Sequence, residues 1–327
     1  MPYLINFHKH RINGIKYEKK SKIYYNKFIQ SNKTAKQLFS KHHNLPLKTE
    51  DPSNETILSE EPWVLYHDLI ATNVKFKDIH KKKRCFILGN GPSLREQDLS
   101  LLANEITITV NSIACMENFH LIKPNYHFWA DAIYFESYVD SEQYNETINC
   151  ISKTLEANPK LECFIPAYYN DKAKSLGMDK IKCLNYFVAD YVESLPPVLI
   201  DFTAKISSVH TVVHAAIYLA IYMGCSEIYL LGCECTGVIN TLNAWLDNEL
   251  NNNFYAYDLN ENIKKTFYNL KNIRKIDDIF YGNYLMMYNY RTIWDYCKEN
   301  YIYLCNCTPG GLLDALPRER YEDVIKR

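Results

Sequence analysis

Short apolar runs that stop at a glycine or a polar residue recur along this chain, and they limit its fold more than any other feature. Two of them are Arg84-Cys85-Phe86-Ile87-Leu88-Gly89 and Glu227-Ile228-Tyr229-Leu230-Leu231-Gly232. Strands that are buried on both faces of a parallel sheet have this near-continuous apolar pattern. Further strands are predicted at residues 106–110, 126–130, 161–165, 181–185 and 301–304.

Helical patterns separate these runs, at residues 133–155, 209–223 and 284–300. The segment 209–223 is apolar nearly all round, which is typical of a helix buried on a sheet face. Alternating strands and helices predict an α/β fold with an open, mostly parallel sheet of Rossmann-like type. We expect a nucleotide-binding domain at 81–327, with a lid at about 236–282 because long polar connections often serve that purpose.

Charge divides the chain into two unlike parts. Lys and Arg total 37 against 38 Asp and Glu, a net charge of −1 that argues against a nucleic-acid binder. Residues 1–50 carry a net +9 and the remainder a net −10. Residues 1–80 are expected to form a basic N-terminal extension and linker, with a helix near 19–42. An extension of this kind suits an anionic membrane surface, and the alternative is a solvated helix packed on the body or on a partner subunit.

The cysteine pattern and the absence of an apolar leader predict a cytoplasmic protein, and the basic extension predicts a peripheral position at the inner face of the cell membrane. Eleven cysteines lie mostly in apolar runs, as expected for free thiols in a reducing compartment. The two C-x-C pairs, Cys233/Cys235 and Cys305/Cys307, are conceivable metal ligands, but packing at strand ends is the favoured interpretation. No metal site is therefore predicted, and a homo-oligomer is expected.

The turn after the first strand is the strongest candidate for ligand binding. It contains Gly89, Asn90, Gly91, Pro92 and Ser93. Glycines permit close approach of the backbone to a ligand, and exposed amides at a helix start favour a phosphate. The alternative is a tight strand-to-helix turn without a ligand.

Other polar residues follow strands or open the apolar helix. Asn111 and Asp131 end the second and third strands, where ligands of open α/β sheets bind, although either side chain is also a suitable helix cap. Three further groups complete the candidate set: Ser208, His210 and Thr211 at the helix start, Glu234 beyond the later glycine, and Tyr281 in the lid. His210 and His214 share a helix face, but no acidic residue lies between them, so packing outweighs metal binding. His210, Asp131 and Glu234 are the candidate catalytic residues.

Several of these motifs resemble the bacterial family 42 sialyltransferases and, at least as closely, the 6-hydroxymethylpterin diphosphokinase-like domains. The matching segments are Gly89-Asn90-Gly91-Pro92-Ser93-Leu94, Asn111, Trp129-Ala130-Asp131, Met223 to Gly232, and Ile302 to Leu313. The sialyltransferase resemblance implies a sialyltransferase-like nucleotide-binding domain and metal-independent, inverting transfer of an acidic sugar of sialic acid or Kdo type. The donor would be a CMP-sugar and the acceptor a glycan of a surface polysaccharide or glycoconjugate.

One departure from the sialyltransferase pattern affects the chemistry. The position where that family has its catalytic histidine reads Asn283 here, and an amide is not a general base near neutral pH. Another residue must then deprotonate the acceptor. The diphosphokinase resemblance implies ATP, Mg²⁺ and a pterin instead, whereas the sialyltransferase resemblance implies no required cofactor. A third alternative is a nucleotide-binding subunit without catalytic activity.

Overall fold

The computed structural model describes residues 65–131, 134–135, 141–189, 200–247, 255–258 and 275–327. The basic residues 1–50 and the helix predicted near 19–42 lie outside the described residues. Among the described helices, none is both long enough and apolar enough to cross a lipid bilayer.

Eight strands form one open sheet in which every pair of neighbours is parallel, and the predicted fold class is thereby confirmed. Their order across the sheet is β6-β5-β4-β3-β2-β1-β7-β8. The strands are β1 Arg84–Leu88, β2 Ile106–Val110, β3 Tyr126–Phe128, β4 Glu162–Pro166, β5 Leu184–Ala189, β6 Lys205–Ile206, β7 Glu227–Leu231 and β8 Tyr303–Asn306.

Seven α-helices are described in this part of the chain. They are α1 His67–Ala71, α2 Ser141–Ala157, α3 Asn170–Ser175, α4 Val212–Tyr222, α5 Gly237–Asp247, α6 Ile276–Glu299 and α7 Tyr321–Val324. Short 3₁₀ helices occupy several connections, including Pro92–Glu96 and Leu99–Leu102 where the sequence predicted one α-helix. Asp98 separates these two because its side chain accepts a hydrogen bond from the Ser100 amide and starts the second.

Several boundaries differ from the sequence prediction: β5 is Leu184–Ala189 rather than 181–185, and α2 is Ser141–Ala157 rather than 133–155. Two further differences have clear physical reasons. Helix α6 begins two turns earlier than predicted, because its first turns carry acids that suit a helix N-terminus and expose Phe280 and Tyr281. Apolar periodicity marks only the buried half of such a helix. Strand β8 begins two residues later than predicted, since Tyr301 is 95% exposed and has a left-handed φ of 57°.

The core lies on both faces of the sheet. Helix α4 fills one face, where most of its side chains are fully buried, including Ile217 and Leu219. The other face is covered by the short helices that follow β1 and β2 and by α7. Residues preceding β1 also pack on the body: Ile70 is buried, and the Asn73 amide donates to the carbonyls of Tyr186 and Phe202.

The order of the strands shows a point in the sheet where the winding direction of the chain reverses. The chain runs outward from β1 to β6 on one side and from β7 to β8 on the other, so the direction of winding changes between β1 and β7. Ligands of open α/β sheets bind outside the carboxyl ends of the strands at such a point. The segments that follow β1 and β7 therefore form the centre of the candidate site.

Candidate functional site

The turn after β1 is fastened to the end of β7. The Gly89 amide donates to the Leu231 carbonyl and the Gly91 amide to the Gly232 carbonyl, both at 2.8 Å. A Cβ on Gly89 would lie 2.3 Å from the Gly232 oxygen. Glycine at position 89 is thus required by the close approach of the two strand ends.

The side chain of Glu234 fills the space beside Gly91. Its Oε1 accepts a hydrogen bond of 2.8 Å from the Ser93 amide, across 141 residues of sequence. A Cβ on Gly91 would lie 1.4 Å from Glu234 Oε2. The glycine-rich turn therefore holds a carboxylate of the protein itself, on the amide that the sequence analysis assigned to a phosphate.

Three buried polar atoms of this turn region have no hydrogen-bond partner among the described residues: Asn90 Oδ1, Ser93 Oγ and Glu234 Oε2. Glu234 is 8% exposed and Ser93 9% exposed. Leaving a buried polar group unpaired costs about 1–3 kcal/mol. Atoms of this kind at the switch point of a sheet are where a bound ligand would supply the missing partners.

The segment after β8 packs against the backbone of Glu234. The Leu312 amide donates to the Glu234 carbonyl at 2.7 Å, and a Cβ on Gly311 would meet the Glu234 backbone at 2.6 Å. The Thr308 hydroxyl accepts a hydrogen bond of 2.9 Å from the Cys233 amide. This strand-end loop is a part of the site that the sequence analysis marked only by its family resemblance.

Asn111 ties the ends of β2 and β3 together. It has a left-handed φ of 50°, a conformation that asparagine tolerates better than most residues. Its Oδ1 accepts a hydrogen bond of 3.2 Å from the Ala130 amide. The next residue, Ser112, forms a short hydroxyl–hydroxyl hydrogen bond with Tyr134. Asp131 stands exposed beside them at the end of the β3 segment.

Residues 255–258 of the predicted lid lie against the glycine-rich turn. The Ala256 amide donates to the Asn90 carbonyl at 2.8 Å. Arg95 holds the same segment, because its Nε donates to the Ala256 carbonyl and its guanidinium pairs with Asp258, each at 3.0 Å. Residues 255–258 of the predicted lid are therefore anchored at the site.

Two tyrosines of this segment were not among the predicted site residues. The rings of Tyr255 and Tyr257 lie parallel with centroids 5.0 Å apart. Burial raises the pKa of both phenols, with Asp131 adding to the effect on Tyr255. A protonated Tyr hydroxyl is a hydrogen-bond donor, which suits an anionic ligand. The signal available in the sequence was the Tyr-x-Tyr spacing, which does not by itself distinguish a site from packing.

Helix α4 starts at the same edge of the sheet, and Thr211 is its N-cap residue. His214, one turn into the helix, is fully buried, and its Nδ1 accepts hydrogen bonds from Asn289 Nδ2 at 2.9 Å and from the His210 amide at 3.3 Å. Burial holds the pKa of His214 well below 6.5. His214 is thus a neutral packing residue, and Asn289 also donates to the Ser208 carbonyl at 2.7 Å.

Tyr281 and Asn283 lie on the first half of α6. Tyr281 is 57% exposed, and its ring lies parallel to that of Tyr284 at 6.5 Å. The Asn283 amide donates to the Ile279 carbonyl of its own helix at 2.8 Å. Neither side chain has a described contact with the turn that carries Glu234. Within the described ranges, no group of three or more His, Cys, Asp or Glu is arranged to hold a metal ion.

Comparisons with known proteins locate the chain among its relatives. The Campylobacter jejuni sialyltransferase CstII, solved in complex with a substrate analogue, cytidine-5'-monophosphate, aligns with 73% of this chain and 85% of its own, at 19% identity and a TM-score of 0.40. A search of the curated proteins finds no match. The model of the family described as 6-hydroxymethylpterin diphosphokinase MptE-like matches residues 66–238, which contain β1 to β7 and Glu234. The chain therefore belongs to the 6-hydroxymethylpterin diphosphokinase MptE-like family.

Proposed function

We propose that this protein is a nucleotide-dependent transferase that moves an acidic sugar from a CMP-activated donor to a hydroxyl group of a glycan acceptor. The observation that carries the proposal is the Glu234 carboxylate at the β1/β7 switch point. One oxygen is held by the Ser93 amide, and the other is buried with no partner among the described residues. A carboxylate fixed by one oxygen presents the other in a defined direction.

The proposed role of Glu234 is that of general base. As the acceptor oxygen attacks the anomeric carbon, Glu234 Oε2 takes the hydroxyl proton. The bond between the anomeric carbon and the CMP phosphate oxygen breaks, its electron pair stays on the phosphate, and the configuration of the sugar is inverted. Proton transfer to a positioned base contributes typically 10²–10⁴-fold to a rate. This assignment supplies the base that Asn283 cannot be.

Hydrogen-bond donors, rather than cations, are the groups with which this site would hold the nucleotide. Donors within the described site include the Ser93 hydroxyl, the first amides of α4 beyond Thr211, and the phenols of Tyr255 and Tyr257. The amino end of an eleven-residue helix carries a partial positive charge that favours an anion. A neutral donor set of this kind suits the single phosphodiester of a CMP-sugar, which carries less charge than the triphosphate of ATP.

Membership in a family named for a diphosphokinase favours a second candidate function. In that reaction a hydroxyl of the acceptor would attack the β-phosphorus of ATP and AMP would leave, and a Mg²⁺ ion would supply positive charge to the phosphate oxygens. Glu234 would take the hydroxyl proton in the same way. Asp131, exposed at the end of the β3 segment, is the carboxylate that would hold the Mg²⁺ ion.

A thermal-shift panel of CMP, UMP, GDP, ADP and ATP, each with and without Mg²⁺, separates the two candidates. We expect CMP to raise the melting temperature without Mg²⁺ and CMP-sugar to be consumed. A shift that only ATP produces, together with AMP release that stops in EDTA, would replace the first candidate by the second. No shift with any nucleotide would contradict both.

The variant Glu234→Gln tests the base. The glutamine side chain has the same shape, and its carbonyl oxygen can still accept from the Ser93 amide. Nucleotide binding should therefore remain while the rate of transfer falls by about 10²–10⁴-fold. Asn283→Gln is the matched control, since Asn283 bonds only its own helix among described residues and its change should leave the rate unaltered. Equal rates for Glu234→Gln and the wild type would remove Glu234 from the mechanism.

A further inference from the structure

Exposed lysines collect at the amino edge of the sheet, opposite the candidate site. Because all strands are parallel, the segments that precede them meet at one edge. These segments contain seven exposed lysines, which we call the lysine edge: Lys81, Lys82 and Lys83 before β1, Lys123 before β3, Lys160 before β4, and Lys180 and Lys182 before β5.

None of these seven lysines forms an ion pair with a described residue, whereas two acids of the same edge are already paired. Glu105 pairs with Arg84 at 2.5 Å, and Glu162 pairs with Lys75 at 3.2 Å. The exposed acids that precede strands in the chain are Asp78, Glu117, Glu156, Asp179 and Glu299, five against the seven lysines. The lysine edge is therefore positive, although residues 51–327 as a whole carry a net charge of −10.

The segment before β1 is held in place on the end of α4. Backbone amides of Asp78 and Lys82 donate to the carbonyls of Tyr222 and Gly224, at 3.1 Å and 2.9 Å. The His80 amide between them donates to the end of the same helix. Three consecutive lysines are thus presented on a fixed loop, so little backbone entropy is lost when they meet a charged partner.

Exposed apolar side chains accompany these lysines. Ile79 is 47% exposed, and Tyr301, in the segment before β8, is 95% exposed. Lysines beside an exposed aliphatic and a tyrosine side chain are the composition with which peripheral proteins meet a lipid headgroup region. A nucleic-acid backbone would neutralise the lysines but would gain nothing from Ile79.

We propose that the lysine edge docks on the anionic surface of a lipid bilayer, with the candidate site at the opposite end of the strands facing the aqueous phase. Basic residues near such a surface each strengthen binding by roughly fivefold, and the effect is screened by salt. Seven lysines on one edge, none of them ion-paired with a described residue, suffice for reversible association. The proposal does not rest on the transfer activity, and it concerns the α/β body, separately from the basic residues 1–50.

Sedimentation of the full chain with lipid vesicles tests the proposal. Vesicles of phosphatidylcholine with phosphatidylglycerol should bind the protein at low salt, and vesicles of phosphatidylcholine alone should not. The triple variant Lys81→Gln, Lys82→Gln, Lys83→Gln should bind roughly 100-fold more weakly, because three favourable charges are lost. A second triple variant, Lys123→Gln, Lys160→Gln, Lys182→Gln, should show a similar loss through different loops, which guards against misfolding of one variant.

The matched control removes the same charge from other parts of the body: Lys172→Gln, Lys174→Gln, Lys275→Gln. These residues follow β4 on α3 or precede α6, and their loss should change vesicle binding by less than about threefold. Equal weakening by all three variants, or none by the two edge variants, would overturn the proposal. Binding of an RNA oligonucleotide through the same lysines in the absence of vesicle binding would also overturn it.

Discussion

At the scale of single residues, the position of the Glu234 side chain explains why residue 91 is a glycine. The side chain of Glu234 occupies the space that a Cβ at position 91 would need, and it bonds the Ser93 amide within the same turn. Glycine at this position is usually explained by a ligand that approaches the backbone closely. Here the approaching group is a carboxylate of the protein, and the ligand is expected to meet its free oxygen.

Gly91→Ala adds only one methyl group, but it should lower both the stability and the activity of the protein. The new methyl group would displace the Glu234 carboxylate, so we expect a loss of about 1–3 kcal/mol in the free energy of unfolding and an activity as low as that of Glu234→Gln. Gly282→Ala is the matched control, because nothing lies within 4 Å of its Cβ on α6. That control should stabilise the protein by about 0.5–1 kcal/mol. Chemical denaturation of both variants measures the two changes in unfolding free energy. An unchanged unfolding free energy for Gly91→Ala would contradict this explanation.

Two buried histidines make the stability depend on pH. Burial lowers the pKa of His127 to about 3, and it holds the pKa of His214 well below 6.5. In the unfolded chain both titrate near the ordinary value of about 6.5. Below that pH the unfolded state binds protons that the folded state does not, so stability is lost as the pH falls from about 6.5.

His127→Asn should flatten this dependence. The asparagine amide can either accept from or donate to the Thr109 hydroxyl, which lies 2.8 Å from His127 Nδ1, but it would bind no proton on unfolding. Between about pH 6 and about pH 4, the unfolding free energy of the variant should fall less steeply than that of the wild type, by up to about 1.4 kcal/mol per pH unit. Urea denaturation across this range measures the two slopes. Parallel slopes would show that His127 is protonated in the folded state.

At the scale of elements, the loop after β8 supplies the last set of contacts around Glu234. It presses on Glu234 through Gly311 and Leu312. Arg318 holds the loop from outside: its guanidinium donates to the carbonyls of Thr308, Gly310, Gly311 and Leu313. A planar fork of donors can serve several carbonyls at once, which a lysine ammonium cannot do in the same geometry.

Arg318→Lys should loosen this loop while the sheet stays intact. We expect the Leu312 amide, which bonds the Glu234 carbonyl, to lose protection against hydrogen exchange, and the unfolding free energy to fall by about 1 kcal/mol. Arg320→Lys is the control, because Arg320 pairs only with the neighbouring Glu322 among described residues. Unchanged exchange at Leu312 in Arg318→Lys would show that the loop does not depend on Arg318.

At the scale of the whole molecule, the two ends of the parallel sheet differ in kind. The carboxyl edge holds backbone amides, hydroxyls and the buried Glu234 carboxylate, whereas the amino edge holds the lysine edge.

The eleven cysteines, all of which the structure describes, form no disulfide, and eight of them are buried. Cooperative packing, without covalent links, therefore holds these cysteines out of solvent.

Thiol labelling of the native protein reports on that packing. Cys115 is exposed and should react rapidly with an aromatic disulfide reagent, whereas the eight buried thiols should react only when the structure opens. Cys115→Ser should remove the fastest phase and leave the slow phase unchanged. Rapid labelling of many thiols in Cys115→Ser would contradict the buried arrangement.

The sequence predicted the parallel sheet, whereas the site residues that it named remain predictions, and the difference has a physical origin. Strand and helix patterns depend on neighbours within a few residues, so the runs ending at Gly89 and Gly232 indicated parallel strands correctly. The structure brings Asn90, Ser93 and Glu234 together at one point. Tyr281 does not lie at that point, since it is exposed on α6. The sequence could not show this, because the polar segment around Tyr281 has no apolar periodicity that would mark its solvent-facing side.

By itself, the sequence determined an α/β fold with a parallel sheet and polar residues at the carboxyl ends of its strands, because local periodicity and turn chemistry encode these features. Only the tertiary structure decided which strand ends are neighbours. Strand β7 pairs with β1 although 138 residues separate Leu88 from Glu227. That pairing seats Glu234 in the space at Gly91. A contact between residues so far apart is set by the packing of the whole core, which no local pattern records.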